Sequence, residues 1–188
     1  MGEEKVSALK ERTTAKIEYA KLMLDELCRR SNSAGRGDPF ERAHEEAVLF
    51  HIIGAKDVFL QEINATYELG LKPSQVDENN LAKTLVKKGK TCPALQELML
   101  LKEDKSSWLY KANILRNLGT HRKGPARTFF LTVGGGDKGD VYYNDPEDPK
   151  NYIAEEDTHK YLEHRIQDMT ELLQRLRKTL PSNPENTC

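Results

Sequence analysis

The short segment ILRNLGTHRK, residues 114–123, concentrates side chains that can bind phosphate and move protons. A planar guanidinium binds phosphate through paired hydrogen bonds, and an imidazole exchanges a proton near neutral pH. In this interpretation Arg116 binds a phosphate, His121 acts as acid or base, and Asn117 orients a substrate oxygen or the imidazole. Asn117 and His121 are four residues apart, so on a helix they share one face.

Further cations around this segment are candidates for binding a nucleic-acid substrate: Lys111, Arg122, Lys123 and Arg127. Aromatic residues follow on a predicted hairpin, as Phe129, Phe130, Tyr142 and Tyr143. Cations beside aromatic rings bind single-stranded RNA by phosphate contacts and base stacking. Alternation along a strand predicts that one residue of each adjacent aromatic pair faces the protein. The alternative is a solvated helix end, where cations suit the negative end of the helix dipole.

This chemistry requires no metal, because the ribose 2′-hydroxyl can attack its own phosphate. The reaction needs a base, a cation that stabilises the phosphorane and an acid for the leaving oxygen. One histidine supplies half of the acid–base work, and a dimer would supply a second. We therefore expect no cofactor and no metal.

The rival interpretation is a metal site. Glu41 and His44 form one Glu-x-x-His pair, Glu156 and His159 form another, and di-iron carboxylate bundles use two such pairs. Both pairs fall near the first turn of their predicted helices, where acidic residues are common without a metal. A metal-dependent bundle enzyme would lose its metal in a His44→Ala variant. His51, in the apolar run AVLFHIIG, is expected to be a hydrogen-bonded core histidine.

Composition limits the class of protein. The 29 Lys and Arg balance 30 Asp and Glu, so affinity for nucleic acid must come from a local patch. The N-terminal residues lack the apolar core of a signal peptide, and no apolar run is long enough to cross a bilayer. We expect a cytoplasmic protein with no membrane partner. The three cysteines are far apart and include no CxxC pair, which disfavours disulfides and thiolate zinc sites.

The elements that must position these residues follow from periodicity, helix-breaking residues and caps. Asp38 before Pro39 and Ser106 or Ser107 are predicted to cap the helices that follow them, and the β-branched and aromatic runs TFFLTV and VYYND around GGGDKGD indicate a hairpin. Helices are predicted at about 6–30, 39–69, 76–88, 93–103, 106–123 and 154–179, with a β-hairpin near 128–144. The helix over 39–69 is apolar on most sides and should be the most buried. The sequence predicts an all-α protein, an antiparallel up-and-down helical bundle with a small β-hairpin insertion. It forms one domain, residues 1–180, followed by a disordered tail, residues 181–188.

Arg116, Asn117, three variable residues and His121, placed after an amphipathic helix, resemble the signature of the HEPN superfamily (higher eukaryotes and prokaryotes nucleotide-binding domains). The segment ERAHEEAVLFHIIGAKDVFLQEI resembles the second bundle helix of that superfamily. The resemblance implies a homodimer whose two motifs meet at a cleft. Such proteins often act as metal-independent endoribonucleases in toxin or defence systems, where a cognate antitoxin is the partner. Other members only bind nucleotides or serve as interaction modules, and the hairpin departs from the simplest pattern.

Overall fold

The computed structural model describes residues 2–30, 38–121, 124–130 and 139–181 of the 188. Over these residues it contains six α-helices and a two-stranded antiparallel sheet. The helices are α1 (Gly2–Arg30), α2 (Pro39–Thr66), α3 (Glu78–Lys87), α4 (Pro93–Glu103), α5 (Trp108–His121) and α6 (Thr158–Arg177), and the strands are β1 (Arg127–Phe130) and β2 (Asp140–Tyr143). The protein is an all-α helical bundle with a small hairpin, as the sequence predicted.

Two contacts show that α1 and α2 are antiparallel. In the first half of α1, the Thr13 hydroxyl donates to Glu62, which lies near the end of α2. At the other end of the pair, the Arg30 guanidinium lies 4.2 Å from the ring centre of Phe40. The end of one helix therefore meets the start of the other.

Helix α6 completes the arrangement. His159 at its start meets Glu41 at the start of α2, and Arg177 at its end meets Glu62 near the end of α2. Helix α6 is therefore parallel to α2 and antiparallel to α1.

Helix α2 is at the centre of the core. Its fully buried apolar residues are Val48, Leu49, Ile52, Ile53, Ala55, Phe59, Leu60 and Ile63. Each Val, Leu, Ile or Phe side chain removed from water contributes about 1.5–3 kcal/mol before conformational entropy is counted. The prediction that this helix is the most deeply placed one is confirmed.

Helix boundaries follow the capping residues. Asp38 caps α2 by accepting from the Glu41 backbone N–H at 2.7 Å, as the Asp-Pro pair predicted. Helix α6 begins at Thr158, four residues later than predicted, because the Asp157 side chain caps it by accepting from the His159 backbone N–H. Helix α2 ends at Thr66, three residues earlier than predicted.

The hairpin pairs Arg127 with Tyr143 and Phe129 with Val141. Its tip, residues 131–138, and the tail from residue 182 onward lie outside the described residues. Tyr143 is buried and Tyr142 is partly exposed, which confirms the alternation expected for that pair. For the other pair the expectation was wrong, since Phe129 and Phe130 are 44% and 47% exposed. Both are in the second half of β1, where they pair with Val141 and Asp140 of β2.

Candidate functional site

Helix α5 presents the Arg–Asn–His segment. The Ser107 hydroxyl accepts from the Tyr110 backbone N–H at 3.0 Å and so caps the start of α5, as predicted. Leu109, Ala112 and Leu115 form the buried face of the helix. Arg116 and Asn117, which follow Leu115, are half-buried and exposed, so they lie at the edge of this buried face.

Arg116 and Asn117 lie at this edge. Arg116 Nη2 is 3.6 Å from Asp57 Oδ2, and the Asp57 side chain is 53% exposed. Asn117 is exposed. His121 is the last residue of α5, one helical turn beyond Asn117, but its side chain lies outside the described part of the chain. The predicted contacts of Arg122 and Lys123 also fall on residues outside it.

One outward row of α2 faces this segment. Glu46, Phe50, Gly54 and Asp57 recur at helical spacing and share one side of α2, and we call them the α2 stripe. At one end of the stripe, Glu46 packs so closely on Gly119 that a Cβ there would lie 3.0 Å from Glu46 Cγ. The glycine in the segment therefore allows α5 to approach α2.

Helix α1 adds a cation to the α2 stripe. Lys16 Nζ lies 5.0 Å from the ring centre of Phe50, and the Lys16 side chain also covers Gly54. Phe50 is 48% exposed. Burial and the nearby Arg12 lower the pKa of Lys16, while Asp57 acts in the opposite direction. The exposed ring thus lies below an ammonium group, a combination that suits a nucleotide base and its phosphate.

His51 differs from the expected hydrogen-bonded core histidine. It is half-buried, and its ring packs edge-on against Tyr19 and Phe50 at centroid distances of 5.4 and 5.5 Å. Within the described residues its Nδ1 has no hydrogen-bond partner. Burial, together with Lys16 and Arg12, lowers the pKa of His51, which favours the neutral imidazole.

The two remaining predicted substrate contacts are engaged inside the protein. Lys111 Nζ donates to the Ile153 carbonyl at 3.3 Å. Arg127 Nη2 lies 2.7 Å from Glu45 Oε2, and the two side chains are 5% and 0% exposed. Arg127 therefore forms a buried ion pair that holds β1 on α2.

A second group of ionisable residues surrounds Glu45. One side-chain ligand atom from each of Glu41, Glu45 and His159 lies within 4.8 Å of the other two, and we call these residues the acid–histidine cluster. Glu41 Oε1 and His159 Nε2 are 3.2 Å apart. Glu45 Oε2 accepts from the Tyr143 hydroxyl at 2.8 Å as well as from Arg127.

The environment of Glu45 is unusual for a carboxylate. Burial raises the pKa of Glu45, and the opposing effects of Arg127 and the Tyr143 hydrogen bond do not cancel that rise. Its second oxygen, Oε1, is buried and has no hydrogen-bond partner within the described residues. A buried acceptor without a donor is costly, so a proton or another positive group is favoured at this oxygen.

Comparison with known sequences identifies a family. The pattern of the family of unknown function DUF6586 matches residues 8–129, more than half of the chain. The chain belongs to this family. No curated protein and no solved structure shows a significant match.

The family match extends from α1 into β1 and includes residues 116–121 and two members of the acid–histidine cluster, Glu41 and Glu45. His159, the third member, lies beyond the matched residues. Among the described helices, none is both long enough and apolar enough to cross a membrane.

In each Glu-x-x-His pair, one residue contacts a residue outside both pairs. His44 stacks on the Phe40 ring and its Nδ1 lies 2.9 Å from the Phe40 carbonyl. Glu156 pairs with His164 at 2.6 Å. The remaining residue of the first pair, Glu41, contacts the remaining residue of the second pair, His159.

The sequence did not lead to a prediction of Glu45 as a site residue. The only signal in the sequence was its position four residues after Glu41, which places both carboxylates on one face of α2.

Proposed function

We propose that the protein is a HEPN-like, metal-independent endoribonuclease or RNA-binding protein of the cytoplasm. Its site would be a composite cleft in which the α5 segments of two identical chains meet. The observation that supports this most directly is the position of Arg116, 3.6 Å from the exposed Asp57 on the α2 stripe, which also contains the exposed Phe50 beside Lys16. A cognate antitoxin that covers this cleft would be the natural regulator.

In this mechanism Arg116 binds the scissile phosphate and stabilises the charge of the phosphorane. An imidazole takes the proton of the 2′-hydroxyl, whose oxygen then attacks phosphorus. The bond from phosphorus to the 5′-oxygen breaks, and a protonated imidazole donates to that oxygen. The products are a 2′,3′-cyclic phosphate and a 5′-hydroxyl. His121 of each chain supplies one of the two imidazoles, while Asn117 orients the substrate.

Two aromatic surfaces of the protein, one on the α2 stripe and one on the hairpin, favour single-stranded RNA. Phe50 provides an exposed ring beside Lys16. On the outer face of the hairpin, the rings of Phe130, Tyr142 and Tyr152 cluster with centroid distances of 5.2–5.9 Å. Stacking of a base on one such ring contributes about 1–3 kcal/mol.

The test is cleavage of a labelled tRNA or total-RNA pool in EDTA, with wild type, His121→Ala and His164→Ala. His164 is the matched control because it is exposed and bound to Glu156 on another part of the bundle. We expect wild type and the control to cut and to leave 2′,3′-cyclic phosphate ends. His121→Ala should be slower by about 10²–10⁴-fold, the usual contribution of acid–base catalysis.

Binding distinguishes a nuclease from a non-catalytic module on the same fold. If no variant cuts RNA, while wild type and His121→Ala bind it equally, the catalytic assignment is wrong and a binding module remains. Arg116→Ala should reduce the salt dependence of RNA affinity by about one phosphate contact. Asp57→Asn should strengthen RNA binding, because the Asp57 carboxylate then no longer competes with phosphate for Arg116. Lys105→Ala, which removes a surface cation paired with Glu147, is the control that should change neither property.

A further inference from the structure

We propose that Glu41, Glu45 and His159 bind one divalent transition-metal ion of the Zn²⁺ class. This site is separate from the Arg–Asn–His segment and does not rest on the proposed ribonuclease activity. It joins the start of α2 to the start of α6, two elements that are more than a hundred residues apart in sequence.

The spacing of the ligand atoms suits a single ion. In a tetrahedral site, ligand atoms bound at about 2.0–2.2 Å from the ion lie about 3.3–3.6 Å from one another. The 3.2 Å between Glu41 Oε1 and His159 Nε2 is close to that spacing. The largest separation in the cluster is 4.8 Å or less, so side-chain shifts of at most about 1.5 Å would bring the three atoms to the spacing of a tetrahedral site.

Glu45 provides the second and independent indication of a ligand. The side chain is fully buried, and within the described residues its Oε1 has no hydrogen-bond partner. Its other oxygen is held by the Tyr143 hydroxyl and the Arg127 guanidinium. Outer partners of this kind fix the orientation of a ligating carboxylate, as second partners do in established metal sites. Tyr143 and Arg127 therefore leave Oε1 as the oxygen for the ion.

The donor set selects the class of ion. One imidazole nitrogen and two carboxylate oxygens suit Zn²⁺, Mn²⁺ or Fe²⁺ better than the all-oxygen preference of Ca²⁺ or the soft-ligand preference of Cu⁺. Metal binding deprotonates its carboxylate ligands, and the two negative charges then outweigh the single charge of Arg127, so a dication offsets the difference. Three protein ligands leave a fourth position for water.

The experiment uses the full chain, treated with EDTA and then exchanged into chelator-free buffer. Zn²⁺ is titrated by calorimetry, and the melting temperature is measured with and without Zn²⁺. Two matched variants, His44→Ala and His164→Ala, remove histidines that lie close in sequence to a cluster residue but outside the cluster. We expect one ion per chain in wild type and in both controls, with a higher melting temperature when Zn²⁺ is present.

His159→Ala and Glu41→Gln should each weaken Zn²⁺ binding by at least 10-fold and abolish the thermal shift. Helical circular dichroism establishes that each variant is folded, and Co²⁺ absorption in wild type reports the donor set directly. The proposal is overturned if wild type binds no stoichiometric Zn²⁺, or if His159→Ala binds it as tightly as wild type. It is also overturned if His44→Ala loses the ion, since His44 belongs to the rival Glu-x-x-His arrangement.

Discussion

The charged side chains on the two faces of α2 differ in their burial and in their partners. On the inner face, Glu45 is bound by Arg127 and Tyr143, Lys56 by Glu78, and Glu62 by Thr13 and Arg177, and these partners come from other elements. Lys56 Nζ also lies 3.1 Å from Asp57 Oδ1 of the same helix. On the outer α2 stripe, the charged side chain of Asp57 is half exposed and lies 3.6 Å from Arg116.

The two faces differ in how readily a charged side chain can exchange its partner. A buried ion pair cannot release its partner without leaving a charge in a low-dielectric interior, whereas a partly exposed pair is weaker and can exchange carboxylate for phosphate. The inner face is therefore suited to fix elements in place, and the outer stripe is suited to bind ligands. The following changes test that contrast.

The largest effect is expected for Glu45→Ala. It leaves the Arg127 guanidinium buried without its counter-ion, which should destabilise the protein by about 3–5 kcal/mol. Urea unfolding followed by circular dichroism measures the free energy of unfolding. Glu46→Ala, one residue along the same helix but on the α2 stripe, should cost less than about 1 kcal/mol.

A second variant separates the ion pair from simple loss of packing. Replacing both Glu45 and Arg127 by methionine should recover much of the loss, because no unpaired charge remains. Equal costs for Glu45→Ala and Glu46→Ala would show that the two faces of α2 do not differ in this way.

Acid should weaken the inner face through Glu78. Burial alone would raise the pKa of Glu78, but the charge and hydrogen bond of Lys56, with a hydrogen bond from Lys102, lower it to about 2. Because the pKa is lower in the folded protein than the ordinary value of 4.5, the stabilisation is complete above about pH 4.5. It is lost as the pH falls toward 2, and amounts to about 3 kcal/mol.

Urea unfolding between pH 7 and pH 2, for wild type and Glu78→Gln, isolates this contribution. The variant should be less stable at pH 7, and the difference in unfolding free energy should shrink as the pH falls. A difference that stays constant down to pH 2 would contradict the assignment of the charged pair.

Much of the fold was predictable because its signals are local. Apolar periodicity defined the helices, Asp38 and Ser107 marked helix starts, and the β-branched and aromatic runs marked the hairpin. The Arg127–Glu45 pair was not predictable in this way. In the sequence, Arg127 is one more cation near Arg116. Only the register of the hairpin places it against α2.

The acid–histidine cluster was not predictable for the same reason. Glu41 and His159 are 118 residues apart along the chain, and periodicity within one helix contains no information on such a contact. Both residues were metal-ligand candidates in the sequence, but each was assigned to a different Glu-x-x-His pair. Three-dimensional packing, which depends on the whole core, decides which half of each pair meets the other.

The smallest effect concerns the contact between the α2 stripe and the Arg–Asn–His segment. Gly119→Ala should gain up to about 1 kcal/mol of helix propensity, because Gly119 lies inside α5. The new Cβ would, however, lie 3.0 Å from Glu46 Cγ and 3.3 Å from Glu46 Cδ, so the Glu46 side chain must move. In wild-type background the two effects should nearly cancel.

A double-mutant cycle with Glu46→Ala reveals the hidden gain. In the Glu46→Ala background the added Cβ meets no side chain at position 46, so Gly119→Ala should stabilise by about 1 kcal/mol. The measurement is urea unfolding of the four proteins, and the expected result is a coupling of about 1 kcal/mol between the two positions. Additive changes would mean that α5 does not pack on Glu46 in solution. The position of Arg116 over the α2 stripe, and with it the main support for an RNA site there, would then need revision.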